Sequence, residues 1–541
     1  MTMTESPPTE AAESTEPAGA VPGAGLYDAL TTSDHKAIGR IWLQVGMLLL
    51  AAATVLGVAL AIEDAGDGDV FGGVNGAFQM AALYRFGLVL LVAMPLVIGL
   101  ATIVVPMQVG SSNIAFPRAA SAAAWGYLVG TAITVVSVLA GGGWGALDGV
   151  TGEEADAIEL TLLGTGMVLA SILLASVCLA TTVISLRTPG MGLTKAPLFA
   201  WSVLVAASVW LITLPIAIAN LIVIVVDLRG GPLLFGNPEG STLIYEQLAW
   251  LIEQPAIYSL GIPVLGIIGS IVPVVAGARQ VSHAGMMALI GLAGVLAVGG
   301  WSQPAFSDQR DELVYVAFGL IAIVPVVASL GGNAVTLLKG GAPAGLPPAH
   351  LLGALGSGLL LLCATVVGAL RVIDPLDLIG TAADGAVVHL TVFACITAVA
   401  AGLWFWSAKI GGHLLPNVMG LGVMLDFIGA GLVIGVAQLL IGFDFDGDLN
   451  DAMLWVVFVG ALLGALGALG AIGAKVTAIR SDVEAGDDPW DGHTLEWATP
   501  TPVPTGNFVG ALARVTSESP LLDAVEASDS GEESNEGGES S

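Results

Sequence analysis

Residues 78–105 read FQMAALYRFGLVLLVAMPLVIGLATIVV, a stretch whose only charged side chain is Arg85. A helix needs about 20 apolar residues to cross the roughly 30 Å of hydrocarbon in a bilayer, and this run exceeds that length. A soluble helix of the same size would carry a polar stripe along one face. None is present here, and the alternation expected of a transmembrane β-strand is also missing. The stretch therefore predicts a helix buried in a membrane.

The same reading applied outward gives spans near 39–62, 78–105, 118–140, 160–186, 200–226, 248–275, 284–300, 313–338, 351–372, 387–407, 419–440 and 453–478. The chain is 55% hydrophobic and only 11% charged, with a mean hydropathy of +0.88. The expected fold class is all-α, a polytopic bundle of about twelve transmembrane helices. Four parts are expected: an acidic, disordered tail at 1–25, the membrane domain at 26–480, a cytoplasmic segment at 481–510 and a second disordered acidic tail at 511–541. No basic region precedes an apolar stretch at the start, so no signal peptide is read there.

Basic residues stay with cytoplasmic loops. With the N-terminus inside, Lys36, Arg40, Arg118, Arg187, Lys195, Arg279, Lys339, Lys409, Lys475, Arg480 and Arg514 all fall inside, against Arg229, Arg310 and Arg371 outside. Both termini are thus expected to be cytoplasmic, in a plasma-membrane protein. Arg85 lies within the second span, either functional or snorkelling to the outer headgroups. A net charge of −29 argues against nucleic acid as a partner and suits the salt-rich cytoplasm of a halophile. Cys178, Cys363 and Cys395 all sit in apolar runs and read as small buried side chains.

Four short motifs stand at the inner ends of these spans. Ser33-Asp34-His35-Lys36-Ala37-Ile38-Gly39 precedes the first, Val105-Pro106-Met107-Gln108-Val109-Gly110 and Ala115-Phe116-Pro117-Arg118 link the second and third, and Leu186-Arg187-Thr188-Pro189-Gly190-Met191 follows the fourth. The last is Pro489-Trp490-Asp491-Gly492-His493-Thr494-Leu495-Glu496-Trp497-Ala498-Thr499-Pro500. Together they resemble subunit I of the heme–copper respiratory oxidases, cytochrome c oxidase subunit I included, over roughly 32–508. The resemblance implies a multi-pass subunit that reduces oxygen and pumps protons with two hemes and a copper ion. It also implies other oxidase subunits as partners, beside the lipid bilayer.

The family needs six ligand histidines, since imidazole is a good neutral donor to both metals. This chain has six histidines in all, but His35, His283, His350, His413 and His493 lie at the wrong places. Counting along the matching motifs places Tyr84, Gln254, Gln303, Pro304, Ala386 and Val388 at the six ligand positions. Tyr84 and His389 are the candidates to hold a heme: a phenolate can bind heme iron, and a π-type bulge in the tenth span would bring His389 round. Without it, Tyr84 reads as an interfacial aromatic and His389 as a hydrogen-bonded side chain inside the bundle.

At the family's proton-path positions stand Asn113, Ala256, Tyr258 and Ser329, with only the tyrosine kept. The segment Gly442-Phe443-Asp444-Phe445-Asp446-Gly447-Asp448 stands where the family has arginines for heme propionates. The sequence is thus identified as a divergent, haloarchaeal paralogue without catalytic residues, metal site or cofactor, serving as a structural or assembly subunit. Two other readings stay open: a terminal oxidase with altered cofactor binding, and a bundle re-used to transport an ion or small molecule.

Overall fold

The structure, a computed structural model, describes residues 32–66, 69–144, 153–230, 242–303, 311–341, 345–444, 447–481 and 485–527, and the backbone alone at 74–75, 153–155, 227–228, 230, 242–249 and 251–258. Among these residues, twelve helices are long and apolar enough to cross a membrane. The first is α1 (His35–Ala65). The second, α2, is continuous through Val74–Phe86, a π-helical turn at Gly87–Ala93, and Met94–Gln108. There follow α3 (Pro117–Leu139), α4 (Glu153–Ser185), α5 (Leu198–Gly230), α6 (Thr242–Ala276) and α7 (His283–Trp301). The eighth, α8, is made of Glu312–Ile321 and Ile323–Gly340, and α9 (Ala349–Arg371), α10 (Ala382–Phe405), α11 (Asn417–Gly442) and α12 (Gly447–Ser481) complete the bundle.

Three helices form the centre. The apolar windows of α2, α10 and α6 are 100%, 94% and 89% buried, against 28–61% for the other nine. Neighbours in sequence pack side by side around them, and α12 closes the ring against α1. Close approach needs small residues where backbones meet: a Cβ on Gly99 of α2 would lie 2.9 Å from the Leu43 backbone of α1.

Two prolines shape the central helix α2. Proline has no N–H, so the carbonyl four residues earlier loses its helical partner. For Pro95 that carbonyl is Leu91, inside the π-helical turn, and Tyr127 of α3 donates its hydroxyl to it at 2.6 Å. For Pro106 it is Thr102, and His35 Nδ1 donates to it at 2.9 Å. Both side chains are fully buried. The span expected as one run at 313–338 breaks at Ala322, where the ring of Pro325 clashes with the carbonyl of Ile321.

All four inner motifs meet in a cap over one end of the bundle. His35 Nε2 lies 2.9 Å from Asn507 Oδ1, and Asn507 Nδ2 donates to the Ser111 carbonyl at 2.7 Å. Gln108 Nε2 and Trp406 Nε1 donate to Glu496 Oε1 at 2.9 and 3.2 Å. The Thr188 N–H bonds the Val109 carbonyl, and Trp490 Nε1 bonds that of Phe405.

The expectation of a disordered tail from residue 511 is corrected for 511–527. The Val515 and Leu521 N–H groups bond the carbonyls of Pro189 and His493, and Arg279 pairs with Asp523 at 2.6 Å and Glu526 at 2.7 Å. Specific partners on the cap supply what the polar composition lacks. Residues 1–31 and 528–541 lie outside the described residues.

Candidate functional site

The two residues singled out as heme candidates face one another across the central helices. Tyr84 of α2 and His389 of α10 have ring centroids 5.6 Å apart, tilted by 32°. His389 Nδ1 donates to the Gly385 carbonyl at 2.8 Å, which leaves Nε2 as an acceptor, and the Tyr84 hydroxyl lies 3.2 Å from it. Tyr84 O–H therefore donates to His389 Nε2. The pair forms without a bulge in α10, which is a regular α-helix here; the π-helical turn lies instead in α2, at Gly87–Ala93. The Tyr84 ring also fills the notch at Gly57 of α1, where a Cβ would come within 2.8 Å of it.

Two axial donors on opposite faces of one iron stand about 4 Å apart, given metal–nitrogen bonds of about 2 Å. The 3.2 Å separation is that of a hydrogen bond. As arranged, this pair does not fit a heme between its side chains. Arg85, next in sequence, is half-buried.

The other ligand positions are apolar or displaced. Ala386 and Val388 are buried in α10. Gln303 lies beyond the end of α7 and accepts the Asp311 N–H at 3.0 Å. Pro304 lies outside the described residues, as do the side chains of Gln254, Ala256 and Tyr258. Trp250 and Trp301 stack at 5.5 Å beside that region. Between α6, α7, α8, α9 and α10 there remains a cavity of about 50 Å³, with Leu265, Ala293, Val326 and Thr391 in its wall.

The proton-path positions are also spread apart. Asn113 clamps the loop after α2, donating to the Ser33 carbonyl and accepting from the Ile114 N–H at 2.9 Å each. Ser329 is fully buried in α8, and its carbonyl accepts from Asn333 Nδ2. Sequence reasoning missed the roles of His35 and Tyr127; Pro106 and Pro95 were the available signal, because each frees a carbonyl that must find a donor. Among the described residues, no group of three or more His, Cys, Asp or Glu side chains is placed to hold a metal ion.

A twelve-helix bundle with three buried central helices and a motif-built inner cap defines an integral membrane protein of the oxidase subunit I type. The chain belongs to the family described as Cytochrome C and Quinol oxidase polypeptide I, whose model matches residues 37–498. It is 29% identical to the putative cytochrome c oxidase subunit 1-beta of Streptomyces avermitilis, over 94% of each chain. With the cytochrome c oxidase subunit 1 of Corynebacterium diphtheriae it shares 26% identity over 95% of each, and with that of Bacillus subtilis 26% over 90% of this chain and 81% of the relative. A solved heme–copper terminal oxidase dimer superposes with a TM-score of 0.65 at 14% identity, covering 91% of this chain and 89% of the other. That likeness shows the fold.

Family and fold place the chain in the plasma membrane as a multi-pass protein. They also correct the expectation of a chain without cofactor. The matched relatives are cytochrome c oxidase subunits and the matched structure is a heme–copper oxidase, so heme and copper are what membership implies. Substituted ligand positions do not demonstrate their absence.

Proposed function

We propose that the chain serves the respiratory membrane as a subunit I-like structural or assembly component and does not itself turn over oxygen. The observation that carries the reading is the Tyr84–His389 hydrogen bond at 3.2 Å. The Tyr84 hydroxyl and His389 Nε2, the two atoms that could reach an iron, are engaged with one another, and the closed ring contact ties α2 to α10 and α1. Ala386 and Val388 bring no donor atoms to the positions where the family carries heme ligands. The reading concerns turnover; which groups the chain binds is a separate measurement.

Its partners are then other oxidase subunits, in keeping with relatives that are themselves named as subunits. Its acidic surface, at a net charge of −29, suits a salt-rich cytoplasm. Transport through the centre is disfavoured: a cavity of about 50 Å³ with mostly apolar walls holds a few waters at most. The test is affinity purification of the tagged full chain from its native membranes. The reading expects other oxidase subunits to co-purify and oxygen uptake to follow them. Oxygen reduction by the isolated chain would overturn it.

A further inference from the structure

Among the described residues, a large opening lies away from the central helices. On the inner side, where α1 and α12 meet below the loop at 407–413, a groove of about 650 Å³ opens toward the bilayer. Four of the chain's fifteen basic residues, Lys36, Arg40, Lys409 and Lys475, line it, and no acidic residue does. In a chain of net charge −29 that concentration is unlike the rest of the surface.

The four cations divide into two kinds. Lys36 is buried, paired with Asp34 at 2.8 Å and bonded to the Pro504 carbonyl at 3.2 Å. Lys409 is buried too and donates to the Thr499 carbonyl and to Thr501 Oγ1. These two belong to the cap. Arg40 of α1 and Lys475 of α12 are exposed in the groove, act on one another as like charges and, among the described residues, have no acidic partner. An anion between them would replace repulsion by two attractions.

Below these two cations the walls become apolar and run into the hydrocarbon. Met47 and Leu48 lie about two turns deeper than Arg40 on α1, and Ala471 and Ile472 about one turn deeper than Lys475 on α12; Leu48 is 67% and Ile472 37% exposed. A free phosphate would use only the head of this groove. A molecule with an anionic head and an acyl chain uses all of it, and basic pockets between helices on the cytoplasmic side are suited to such heads.

We propose that this groove binds an anionic phospholipid, its phosphate held between Arg40 and Lys475 and one acyl chain lying along α1 and α12. The test uses the full chain, delipidated in mild detergent and then equilibrated with equimolar phosphatidylglycerol and phosphatidylcholine, with retained lipid read by native mass spectrometry. Phosphatidylglycerol is expected to be enriched among retained lipids, millimolar inorganic phosphate is not expected to displace it, and the R40Q/K475Q double variant should lose affinity by about 25-fold, at about fivefold per charge. R40K/K475R should retain the lipid. Retained lipid that mirrors the mixture, enrichment that survives in a folded R40Q/K475Q protein, or displacement by phosphate alone would overturn the proposal. The mixture and phosphate experiments use the unaltered protein and so decide the matter even if the double variant misfolds.

Discussion

Tyr84 donates its hydroxyl to His389 Nε2 over 3.2 Å, and the ring that delivers it rests on Gly57. Removing the hydroxyl leaves a buried acceptor without its donor, which costs about 1–3 kcal/mol. Tyr84→Phe is therefore expected to lower the thermal midpoint of the detergent-solubilised chain. Gly57→Ala should destabilise more, by driving a methyl into the ring, and that added cost should largely vanish in a Tyr84→Ala background. A cycle in which the two changes add independently would show that the ring does not close this crossing.

The carbonyls freed by Pro95 and Pro106 give a second expectation. Tyr127→Phe and His35→Ala each strand a buried carbonyl, at Leu91 and Thr102, and each should cost about 1–3 kcal/mol. Restoring the helical N–H in the Pro106→Ala background should shrink the His35→Ala penalty. Equal penalties with and without Pro106 would contradict the pairing.

Glu496 is fully buried in the cap, and burial pushes its carboxyl above the ordinary range, partly offset by the donors Gln108 and Trp406. A carboxyl raised in the folded state binds protons more readily there than in the unfolded chain. Its ionisation therefore costs stability at neutral pH, and the cost is relieved as pH falls through the raised value. Relative to Glu496→Gln, the unaltered chain should gain stability as pH falls from the raised value toward the ordinary carboxylate range. A difference that stays flat with pH would place the charge elsewhere.

Asp523 has the opposite sign. The Ser517 hydroxyl and the Arg279 guanidinium hold its carboxyl below the ordinary range. The clasp's contribution is thus present at neutral pH and lost as pH falls through that lowered value. Because the pair is partly exposed, Arg279→Gln should cost no more than about 1 kcal/mol yet speed hydrogen exchange in 515–527, an effect that high salt should mimic. Unchanged exchange there would show that backbone bonds alone hold the segment.

The twelve helices were legible because apolar length is a local property, and their orientation because basic residues mark one side. The inner cap was legible as motifs but not as contacts: nothing local in Ser33–Gly39 names Asn507 as the partner of His35. The pairing of Tyr84 with His389 was legible from the matching motifs, but not its geometry: the π-helical turn was expected in α10, whereas the structure has it at Gly87–Ala93. Residues 511–527 misled for a different reason. Composition registers their polarity but cannot see Arg279 waiting across the cap.

The most direct test of the proposed role is oxygen uptake by the purified full chain, with heme and copper measured in the same sample and turnover expressed per metal centre. The account predicts no cyanide-sensitive uptake above the detergent blank at any metal loading, and uptake only when other oxidase subunits are added. Sustained cyanide-sensitive uptake by the chain alone would contradict it.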